Sequence, residues 1–560
     1  ERALPNLAEN IQCGNSLIGP DYFTGKLIPD AEEMKRVNPF DWAQAFPDVF
    51  PRGTGVPPVR DGGVSPRREK EHGQDGRATH GQDAHATAGG FDCIIGNPPY
   101  IRIQTMKEWA PLEVEIYKEL FRAGRTGNYD IYVVFIEQGL KLLNAKGQLG
   151  FICPHKFFNS KYGEPVRGII AEGQHLAHIV HFGDQQVFEG ATTYTCLLFL
   201  DKSPAANCRF VKANDLGAWR TTGAGAHGTI NANQVTTEEW SFPVGAGAAL
   251  FERLARMPVK LADVTDRIFQ GLKTGGDKVF IVQQVLRQKR RTKVYSHQTE
   301  SEHWIENELL HPLVKGGDSK AFDLVSTDRL ILFPYSVSEG RASLITQRTM
   351  KESFPLAWRY LTSNAEFLRS REHGMMNCSD WYAYTRNQAL DVIALPKIFT
   401  PDLSTKAAFS LDSTGEFFFT GGVAGGYGLL VSPQYSRAYV LGLLNSRLLD
   451  WVHHMSATQM RGGWYSYESR FIRDLPLRIA DMQNMADKAA HDRIVGLVDS
   501  MLALHKQLLA ADSESRKEVI RRQIDATDRE IDRLVYDLYG LTAEEIAIVS
   551  KALGGYQPGE

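Results

Sequence analysis

The sequence contains no run of 18 or more apolar residues, so it offers no candidate for a membrane-spanning helix. Cysteine is scarce as well, and the six cysteines form no C-x-x-C pair and have no histidine at metal-ligand spacing. We therefore expect no metal site, and we expect buried thiols in a reducing cytoplasm. The cysteines are Cys13, Cys93, Cys153, Cys196, Cys208 and Cys378.

An excess of positive charge is also absent. The 63 Lys and Arg residues face 66 Asp and Glu residues, which gives a formal net charge of -3. Binding to a nucleic acid would therefore have to come from local basic patches. One patch has five cations within seven residues and fits a solvated loop as well as a phosphate contact. It consists of Arg287, Lys289, Arg290, Arg291 and Lys293.

Length and composition indicate a globular protein of several domains. A chain of 560 residues is too long for one hydrophobic core, which favours two or three domains. Its 43% hydrophobic and 23% charged residues are typical of soluble folds. The chain begins at Glu1 without Met and without an apolar signal-like stretch, so we expect its natural start to lie upstream.

Residues 53–90 differ in composition from their surroundings. Gly, Pro, His and charged residues dominate there, and Gly-Gln-Asp occurs twice. Such a segment cannot bury enough apolar surface to offset its chain entropy, so it is predicted to be a disordered insertion. Its histidines, His72, His80 and His85, would have no ordered scaffold on which to hold a metal.

Apolar periodicity divides the rest of the chain into four parts. Strand-like runs alternate with a helical pattern at residues 91–95, 129–143, 149–153 and 194–200, which predicts an α/β sheet domain over residues 1–202. A segment rich in Gly, Ala, Thr and Asn predicts a connector. Short strand-like runs then predict a second domain, and two amphipathic patterns predict a helical hairpin. These three parts are residues 203–260, 261–480 and 481–560.

The most informative residues are Asn97, Pro98, Pro99 and Tyr100, directly after the predicted strand at 91–95. In an open α/β sheet the ligand crevice lies at the carboxyl ends of the strands. Proline fixes the backbone and has no N–H, so an Asn side-chain oxygen and a Pro carbonyl can both accept hydrogen bonds from one amino group. Such contacts would make a ring-conjugated amine a better nucleophile towards a methyl donor, and Tyr100 can stack on the base. The same tetrapeptide could also be a rigid turn.

Four segments in order resemble the motifs of TaqI-like adenine-specific DNA methyltransferases, a group that includes the type IIG restriction-modification enzymes. They are residues 4–18, 91–100, 127–158 and 186–202. The resemblance implies a partial Rossmann-like methyltransferase sheet, followed by a mixed α+β specificity domain and a C-terminal helical hairpin. The implied cofactor is S-adenosylmethionine, and the implied partner is double-stranded DNA.

The resemblance also implies roles for the target base. Asn97 and the carbonyl of Pro98 would hold the amino group of adenine, with Pro99 fixing the turn. Tyr100 and Phe188 would sandwich the base after it leaves the duplex. Phe188 could equally be a core aromatic residue.

Other residues would serve the cofactor. Asn15 and Ser16 lie where the family holds the adenine of S-adenosylmethionine, although many members have Asp at the position of Asn15. Asp130 falls in the motif that borders the cofactor and base pockets, and a helix-start role suits it equally. The family's glycine-rich cofactor loop should lie upstream of Leu4. The glycine-rich residues 223–228 follow no predicted strand, so we do not expect them to bind a cofactor.

Residues 261–477 resemble the TaqI-like specificity domain at 269–275, 313–316, 441–446 and 474–477. Lys273, Thr274 and Lys315 stand beside glycines, where turns bring small polar and cationic groups close to DNA. Arg461 and Tyr465 belong to a segment that combines a cation, glycines and aromatics. A solvated turn is the alternative for each.

The sequence therefore predicts a site-specific adenine methyltransferase of a restriction-modification or phage-defence system. No metal is required, because the amine attacks the methyl group directly and the protein orients the two. Methylation of a protein glutamine or an RNA guanine is a rival reaction, which the large second domain disfavours. A DNA-binding specificity module or inactive remnant is a rival of another class. A fused or separate nuclease is a further partner that the sequence leaves open.

Overall fold

A computed structural model of the chain describes residues 11–24, 31–50, 89–188, 193–325, 327–422 and 425–554. The chain divides into two units, Glu1–Val244 and Gly245–Glu560. Most of the predicted insertion, residues 53–88, lies outside the described residues, and so do residues 4–10 of the first motif. No described helix is both long and apolar enough to cross a membrane.

The first unit is built around one mixed sheet. Its strands lie in the order β1-β2-β4-β3-β5-β6. Strand β2 is parallel to β1 and β5 is parallel to β3, whereas β4 is antiparallel to both neighbours. The strands β1, β2 and β3 therefore end at the same edge of the sheet. The strands are β1 (Phe91–Gly96), β2 (Leu143–Pro154), β3 (Leu176–His181), β4 (Thr195–Asp201), β5 (Asn207–Lys212) and β6 (Ala226–Asn231).

Helix α6, predicted from the pattern at 129–143, is the central helix of this unit. Its residues Tyr132 and Ile136 are fully buried, and it packs against β2. Helix α5 begins with Pro111, a residue suited to the first turn because a helix leaves that N–H unpaired. The helices are α1 (Asp21–Thr24), α2 (Ala31–Val37), α3 (Trp42–Ala45), α4 (Ile103–Trp109), α5 (Pro111–Leu120), α6 (Tyr132–Leu142), α7 (Glu164–Glu172) and α8 (Leu216–Thr222).

The prediction of a connector at residues 203–260 is wrong. Strands β5 and β6 extend the sheet there, and the first unit continues to Val244. The inward residues Cys208 and Phe210 are apolar, but the Gly- and Thr-rich flanks concealed this alternation. Gly223 ends α8 with a positive φ and β6 begins three residues later, so the glycines follow a helix and open a strand. This is the reverse of a nucleotide-binding loop.

The cysteines are less uniformly buried than expected. All six thiols are free, and Cys153, Cys196 and Cys208 are buried. Cys13, Cys93 and Cys378 are exposed: Cys93 lies on β1, the outermost strand of the described sheet, and the other two lie outside helices and strands.

The second unit contains several sheets. A six-stranded sheet has the order β10-β9-β8-β14-β11-β20, and a four-stranded sheet has the order β19-β17-β21-β7. A small sheet β18-β23-β22 and the pairs β12-β13 and β15-β16 complete the set. The strands are β7 (Thr265–Gln270), β8 (Ile281–Arg287), β9 (Arg291–Ser296), β10 (Ser301–Glu306), β11 (Leu310–Val314), β12 (Ser319–Lys320), β13 (Asp323–Leu324), β14 (Arg329–Leu332), β15 (Tyr335–Ser338), β16 (Arg341–Leu344), β17 (Lys397–Pro401), β18 (Leu403–Ser404), β19 (Ser410–Asp412), β20 (Phe418–Phe419), β21 (Gly426–Val431), β22 (Gln459–Met460) and β23 (Trp464–Ser466).

The C-terminal hairpin has the two predicted long helices, α17 and α18, joined by three residues. Asn484 and Ser513 cap their N-termini by accepting backbone N–H bonds. A third helix, α19, follows, and the tail shares one core with α14 and α15. The helices are α9 (Ala248–Ala255), α10 (Asp277–Phe280), α11 (Gln347–Ser353), α12 (Pro355–Ser363), α13 (Ala365–Ser370), α14 (Arg437–Asn445), α15 (Arg447–Ser456), α16 (Ser469–Ile472), α17 (Met485–Ala510), α18 (Glu514–Leu538) and α19 (Ala543–Ala552).

Candidate functional site

The tetrapeptide of Asn97, Pro98, Pro99 and Tyr100 leaves the carboxyl end of β1, as the sequence predicted. Asn97 is exposed and Pro98 is buried. Within the described part of the chain, neither the Asn97 side chain nor the Pro98 carbonyl has a hydrogen-bond partner. Two neighbouring acceptors are therefore left open at the edge where ligands bind in α/β sheets.

Tyr100 is fixed in place by contacts at both ends of its side chain. Its hydroxyl donates to the Ile152 carbonyl of β2 at 3.1 Å. Its ring meets the buried Tyr132 ring edge-on, with centroids 6.5 Å apart. Burial raises the pKa of the Tyr100 hydroxyl, so it remains protonated and keeps this bond. The ring is half-buried and is held between the sheet and α6.

Asp130 lies beside the tetrapeptide because its backbone pairs with Arg102. Its carboxylate accepts from the Tyr162 hydroxyl at 3.2 Å, and that hydroxyl is 3.1 Å from the Tyr132 hydroxyl. The first residues of α6 receive no side-chain cap, so the helix-start role of Asp130 is not observed. Asp130 instead ties the start of α6 to the 3-10 turn that contains Tyr162.

Asn15 and Ser16 lie on a segment that is pinned to α5 and α6. The Asn15 side chain accepts from Leu17 N at 3.2 Å and donates to the Tyr117 hydroxyl at 3.4 Å. The Ser16 carbonyl accepts from Gln138 of α6 at 3.4 Å. Ser16 and Asp130 therefore both adjoin α6, although they come from different parts of the sequence.

Phe188 lies beyond the carboxyl end of β3, on the same edge of the sheet as Asn97. The Phe188 side chain is 36% exposed and belongs to no buried cluster of the described residues, so Phe188 is not a core aromatic residue. Two strands, β2 and β4, separate β3 from β1, which corresponds to about 14 Å at the usual strand spacing. A ring on the loop after β3 can span part of this gap.

In the second unit, separate predicted segments meet around residues 420–422 and 425. Leu272 pairs with Thr420, and Gly421 N donates to the Leu272 carbonyl at 2.9 Å. A Cβ on Gly316 would lie only 3.2 Å from the Gly425 carbonyl oxygen, so the two backbones approach each other closely there. Residues 269–275 and 313–316 are thus brought together from distant parts of the chain.

The small sheet β18-β23-β22 joins the same region through Asp402. Asp402 N donates to the Gly425 carbonyl at 3.1 Å, and Tyr467 N donates to the Asp402 carbonyl at 2.8 Å. We call the residues at 269–275, 313–316, 402, 420–422, 425 and 459–467 the loop cluster. It contains Lys273, Thr274, Lys315, Arg461 and Tyr465, whereas the basic patch at 287–293 lies outside it.

Lys273 and Thr274 have different environments within the loop cluster. Lys273 is half-buried, and its Nζ lies beside Gly422. Thr274 is only 1% exposed, and its hydroxyl donates to the Asp277 carboxylate and accepts from Gly276 N at 3.0 Å. The predicted DNA contact of Thr274 is therefore wrong: its hydroxyl is used to shape the turn before α10.

The other predicted contacts are more accessible. Lys315 is half-buried, and its backbone N–H donates to Asp318 at 2.7 Å. Arg461 is exposed in the turn between β22 and β23, where Gly462 and Gly463 both have positive φ. Tyr465 stacks on His454, with centroids 3.7 Å apart, so one face of its ring is covered.

The basic patch at 287–293 forms the turn between β8 and β9. Arg291 stacks on Trp304 at 4.5 Å, and Lys293 is paired with Glu302. Arg287, Lys289 and Arg290 are exposed. The patch therefore divides into two cations that contact the sheet and three at the hairpin tip. A solvated loop and a phosphate contact both remain interpretations of the three tip residues.

Sequence reasoning missed Asp402 in the loop cluster. One of its carboxylate oxygens is buried without a hydrogen-bond partner in the described part of the chain. Burial raises the pKa of this carboxyl and Glu468 raises it further, whereas Lys273 and Arg470 lower it. A lone Asp after a strand carries no motif, so only the contacts of the folded chain single it out.

Comparison with known proteins shows which methylases the chain resembles. Residues 2–188 match the model of the Eco57I restriction-modification methylase family. The Type II restriction enzyme and methyltransferase RM.Eco57I of Escherichia coli is 25% identical over 80% of this chain and 46% of its own length. The Type II methyltransferase M.PaeR7I of Pseudomonas aeruginosa is 26% identical over 83% of this chain and 73% of its own length. These findings confirm the resemblance to restriction-modification methylases.

The solved structure of the Type IIL restriction-modification enzyme MmeI in complex with DNA is similar in fold. It matches with a TM-score of 0.50 and 11% identity, over 82% of this chain and 56% of that chain. The chain thus spans about half the length of both RM.Eco57I and MmeI. Residues 2–188 are thus similar to Eco57I-type restriction-modification methylases, and this similarity implies S-adenosylmethionine as the cofactor.

The residues around Asn15 fit a polar ligand of this kind. Asn15 retains one acceptor lone pair and one N–H after its two observed bonds. Asn15 contacts Tyr117, and Tyr117 interacts electrostatically with Glu113 and Tyr129. The Tyr129 hydroxyl and one Glu113 oxygen are buried without partners among the described residues. Buried polar groups normally have hydrogen-bond partners, so a polar ligand that reached these two oxygens would find them open to a bond.

Proposed function

We propose that this protein transfers a methyl group from S-adenosylmethionine to the exocyclic amino group of adenine in a specific sequence of double-stranded DNA. Its biological setting would be a restriction-modification or phage-defence system. One observation carries the proposal: Asn97 and the Pro98 carbonyl are neighbouring open acceptors at the carboxyl edge of a sheet in an Eco57I-type methylase sequence.

The two acceptors match the two N–H bonds of an adenine amino group. Hydrogen bonds from Asn97 Oδ1 and the Pro98 oxygen would draw these hydrogens out of the ring plane and make the nitrogen lone pair available. Pro98 and Pro99 hold the backbone, so the acceptors need little reorganisation at the moment of reaction. When bound, S-adenosylmethionine supplies an electrophilic methyl group, and Asn15, Ser16 and Asp130 are the residues that would hold it.

Tyr100 and Phe188 would stack on the target base. An adenine inside a duplex cannot reach Asn97, so the base must first leave the helix. Tyr100 is held by the Ile152 carbonyl and Tyr132, so its ring offers a stacking surface with little entropy cost. Phe188 offers a partly exposed ring from the loop after β3.

The loop cluster of the second unit would contact DNA. Lys273, Lys315 and Arg461 supply positive charge for phosphates, and such contacts position a protein on the duplex. The convergence of the segments around residues 420–422 and 425 supports this role. The recognition sequence depends on which base edges these loops approach.

Long-read sequencing that detects modified bases tests the proposal in cells. DNA from cells that express the full-length gene should carry methylated adenine at one recurring sequence. The Asn97→Ala variant should leave that sequence unmodified, and the exposed control Asn233→Ala should not. Modification by Asn97→Ala at the wild-type level would overturn the catalytic role. DNA binding without modification by the wild type would favour the specificity module instead.

A further inference from the structure

Two histidines lie at the same edge of the sheet as Asn97 and have no role in the proposed methyl transfer. His155 follows β2 directly, and His181 is the last residue of β3. Their ring centroids are 4.1 Å apart. His155 is buried, and its ring is stacked with Tyr194 at 6.2 Å.

Both histidines bind the same residue, Gly183. His155 Nε2 is 3.3 Å from the Gly183 carbonyl oxygen, and Gly183 N donates to His181 Nδ1 at 3.1 Å. A carbonyl requires a donor, so the His155 Nε2 carries the proton, and the His181 Nδ1 must be unprotonated. Gly183 has a φ of +57°, a conformation that favours glycine at this turn.

The environment keeps both rings neutral. Burial lowers the pKa of His155 to about 4. Burial lowers the pKa of His181 well below its ordinary value, and the nearby His155 and Lys212 add to this effect. A neutral His181 is the form that can accept from Gly183 N, so the pair is set for this contact throughout the neutral pH range.

Gly183 begins the loop that leads to Phe188. The far side of this loop is anchored on the segment around α8: Gln185 Nε2 donates to the Asn214 carbonyl at 2.9 Å, and Arg220 donates to the Val187 carbonyl at 3.4 Å. The histidines therefore anchor the start of the loop at Gly183, while the α8 region anchors it at Gln185 and Val187.

We propose that His155 and His181 are positioning residues that fix the loop of residues 183–188, so that Phe188 is held ready to stack on the extruded base. The inference rests on the proposed function for the role of Phe188, but the ordering of the loop stands on the observed contacts alone. The histidines act through Gly183 and touch neither the base nor the methyl donor.

Conservative and disruptive variants of the full-length protein separate this role from simple packing. His181→Leu removes the acceptor, whereas His181→Asn keeps an acceptor oxygen close to the position of Nδ1. His155→Met removes the donor, whereas His155→Gln keeps an N–H near the position of Nε2. His178→Leu is the matched control, because His178 lies on the same strand and contacts Phe199 rather than Gly183.

Hydrogen exchange of the free protein tests the positioning step. We expect amide protection in the peptide that covers residues 183–188 to fall about tenfold in His181→Leu and in His155→Met. His181→Asn, His155→Gln and His178→Leu should stay within about threefold of wild type. Unchanged protection in both disruptive variants would overturn the inference, whatever the enzyme's substrate proves to be.

Fluorescence of 2-aminopurine at the target adenine tests the use of the loop. The wild type should brighten the probe on binding, and His181→Leu should reduce this change at least fivefold with DNA affinity within about threefold. Adding Phe188→Ala to His181→Leu should cause little further loss, since both act on one step. Additive losses would overturn the inference. A wild-type protein that neither brightens the probe nor transfers methyl would instead refute the proposed function. The hydrogen-exchange result would still decide whether the two histidines order residues 183–188.

Discussion

Two substitutions of Tyr100 distinguish the role of its hydroxyl from the role of its ring. Tyr100→Phe removes the hydroxyl that donates to the Ile152 carbonyl and keeps the ring against Tyr132. A neutral hydrogen bond contributes about 0.5–1.5 kcal/mol to stability. For a unit of roughly 200 residues, a loss of about 1 kcal/mol lowers Tm by about 2–4 °C. The stacking surface remains, so methyl transfer should stay within about threefold of wild type.

Tyr100→Ala removes the stacking surface as well. Stacking of a base on an aromatic ring contributes about 1–3 kcal/mol, so single-turnover transfer should fall by about 5- to 150-fold. Thermal unfolding and a labelled-methyl assay on the full-length protein measure both effects. If Tyr100→Phe lost as much transfer as Tyr100→Ala, the hydroxyl rather than the ring would serve the reaction, and the stacking role would be refuted.

Three further predictions concern the second unit. Lys273→Met should weaken DNA binding and reduce its salt dependence by about one counterion, measured as the slope of affinity against salt; an unchanged slope would remove Lys273 from the phosphate contacts. Thr274→Ala should instead lower the free energy of unfolding by about 1–2 kcal/mol, with DNA affinity nearly unchanged, because its buried hydroxyl shapes the turn. Burial raises the pKa of Asp532 to about 7, so the folded state holds a proton that the unfolded chain releases above about pH 4. Its contribution to stability therefore declines as pH rises from about 4 to 7, and Asp532→Asn, which still accepts from Arg447 N, should show a smaller decline in urea unfolding.

The local features of the first unit could be predicted from the sequence. Strand β1 follows a short apolar run and helix α6 follows an apolar pattern of helical spacing, and both occur where these patterns placed them, within a few residues. The tetrapeptide after β1 carries its chemistry in consecutive residues, so its place at the sheet edge follows from the strand alone.

Features that depend on long-range pairing could not be predicted. Asp130 meets Tyr162, and His155 meets His181, through strands and turns that are distant in sequence. Nothing local to Thr274 reveals that it is buried, because its partner Asp277 and its flanking glycines are equally typical of an exposed turn. Strands β5 and β6 escaped because two short apolar alternations lay within a Gly- and Thr-rich segment.

The second unit illustrates the same limit at larger scale. The loop cluster forms because β7, β17 and β21 lie side by side, which brings residues 269–275 next to residues 420–422 and 425. Each glycine-rich segment alone predicts only a turn. Their meeting depends on strand order, which the sequence pattern leaves open.

Asn97 is proposed to activate the amino group of adenine. Identification of the methylated nucleoside by mass spectrometry tests this role most directly. The full-length protein would be incubated with S-adenosylmethionine and genomic DNA that lacks methylation, and the DNA would be digested to nucleosides for mass spectrometry. We predict N6-methyladenine with the wild type and at least a hundredfold less with Asn97→Ala, at equal DNA binding. Methylated cytosine as the sole product, or transfer by Asn97→Ala within about threefold of wild type, would contradict the account.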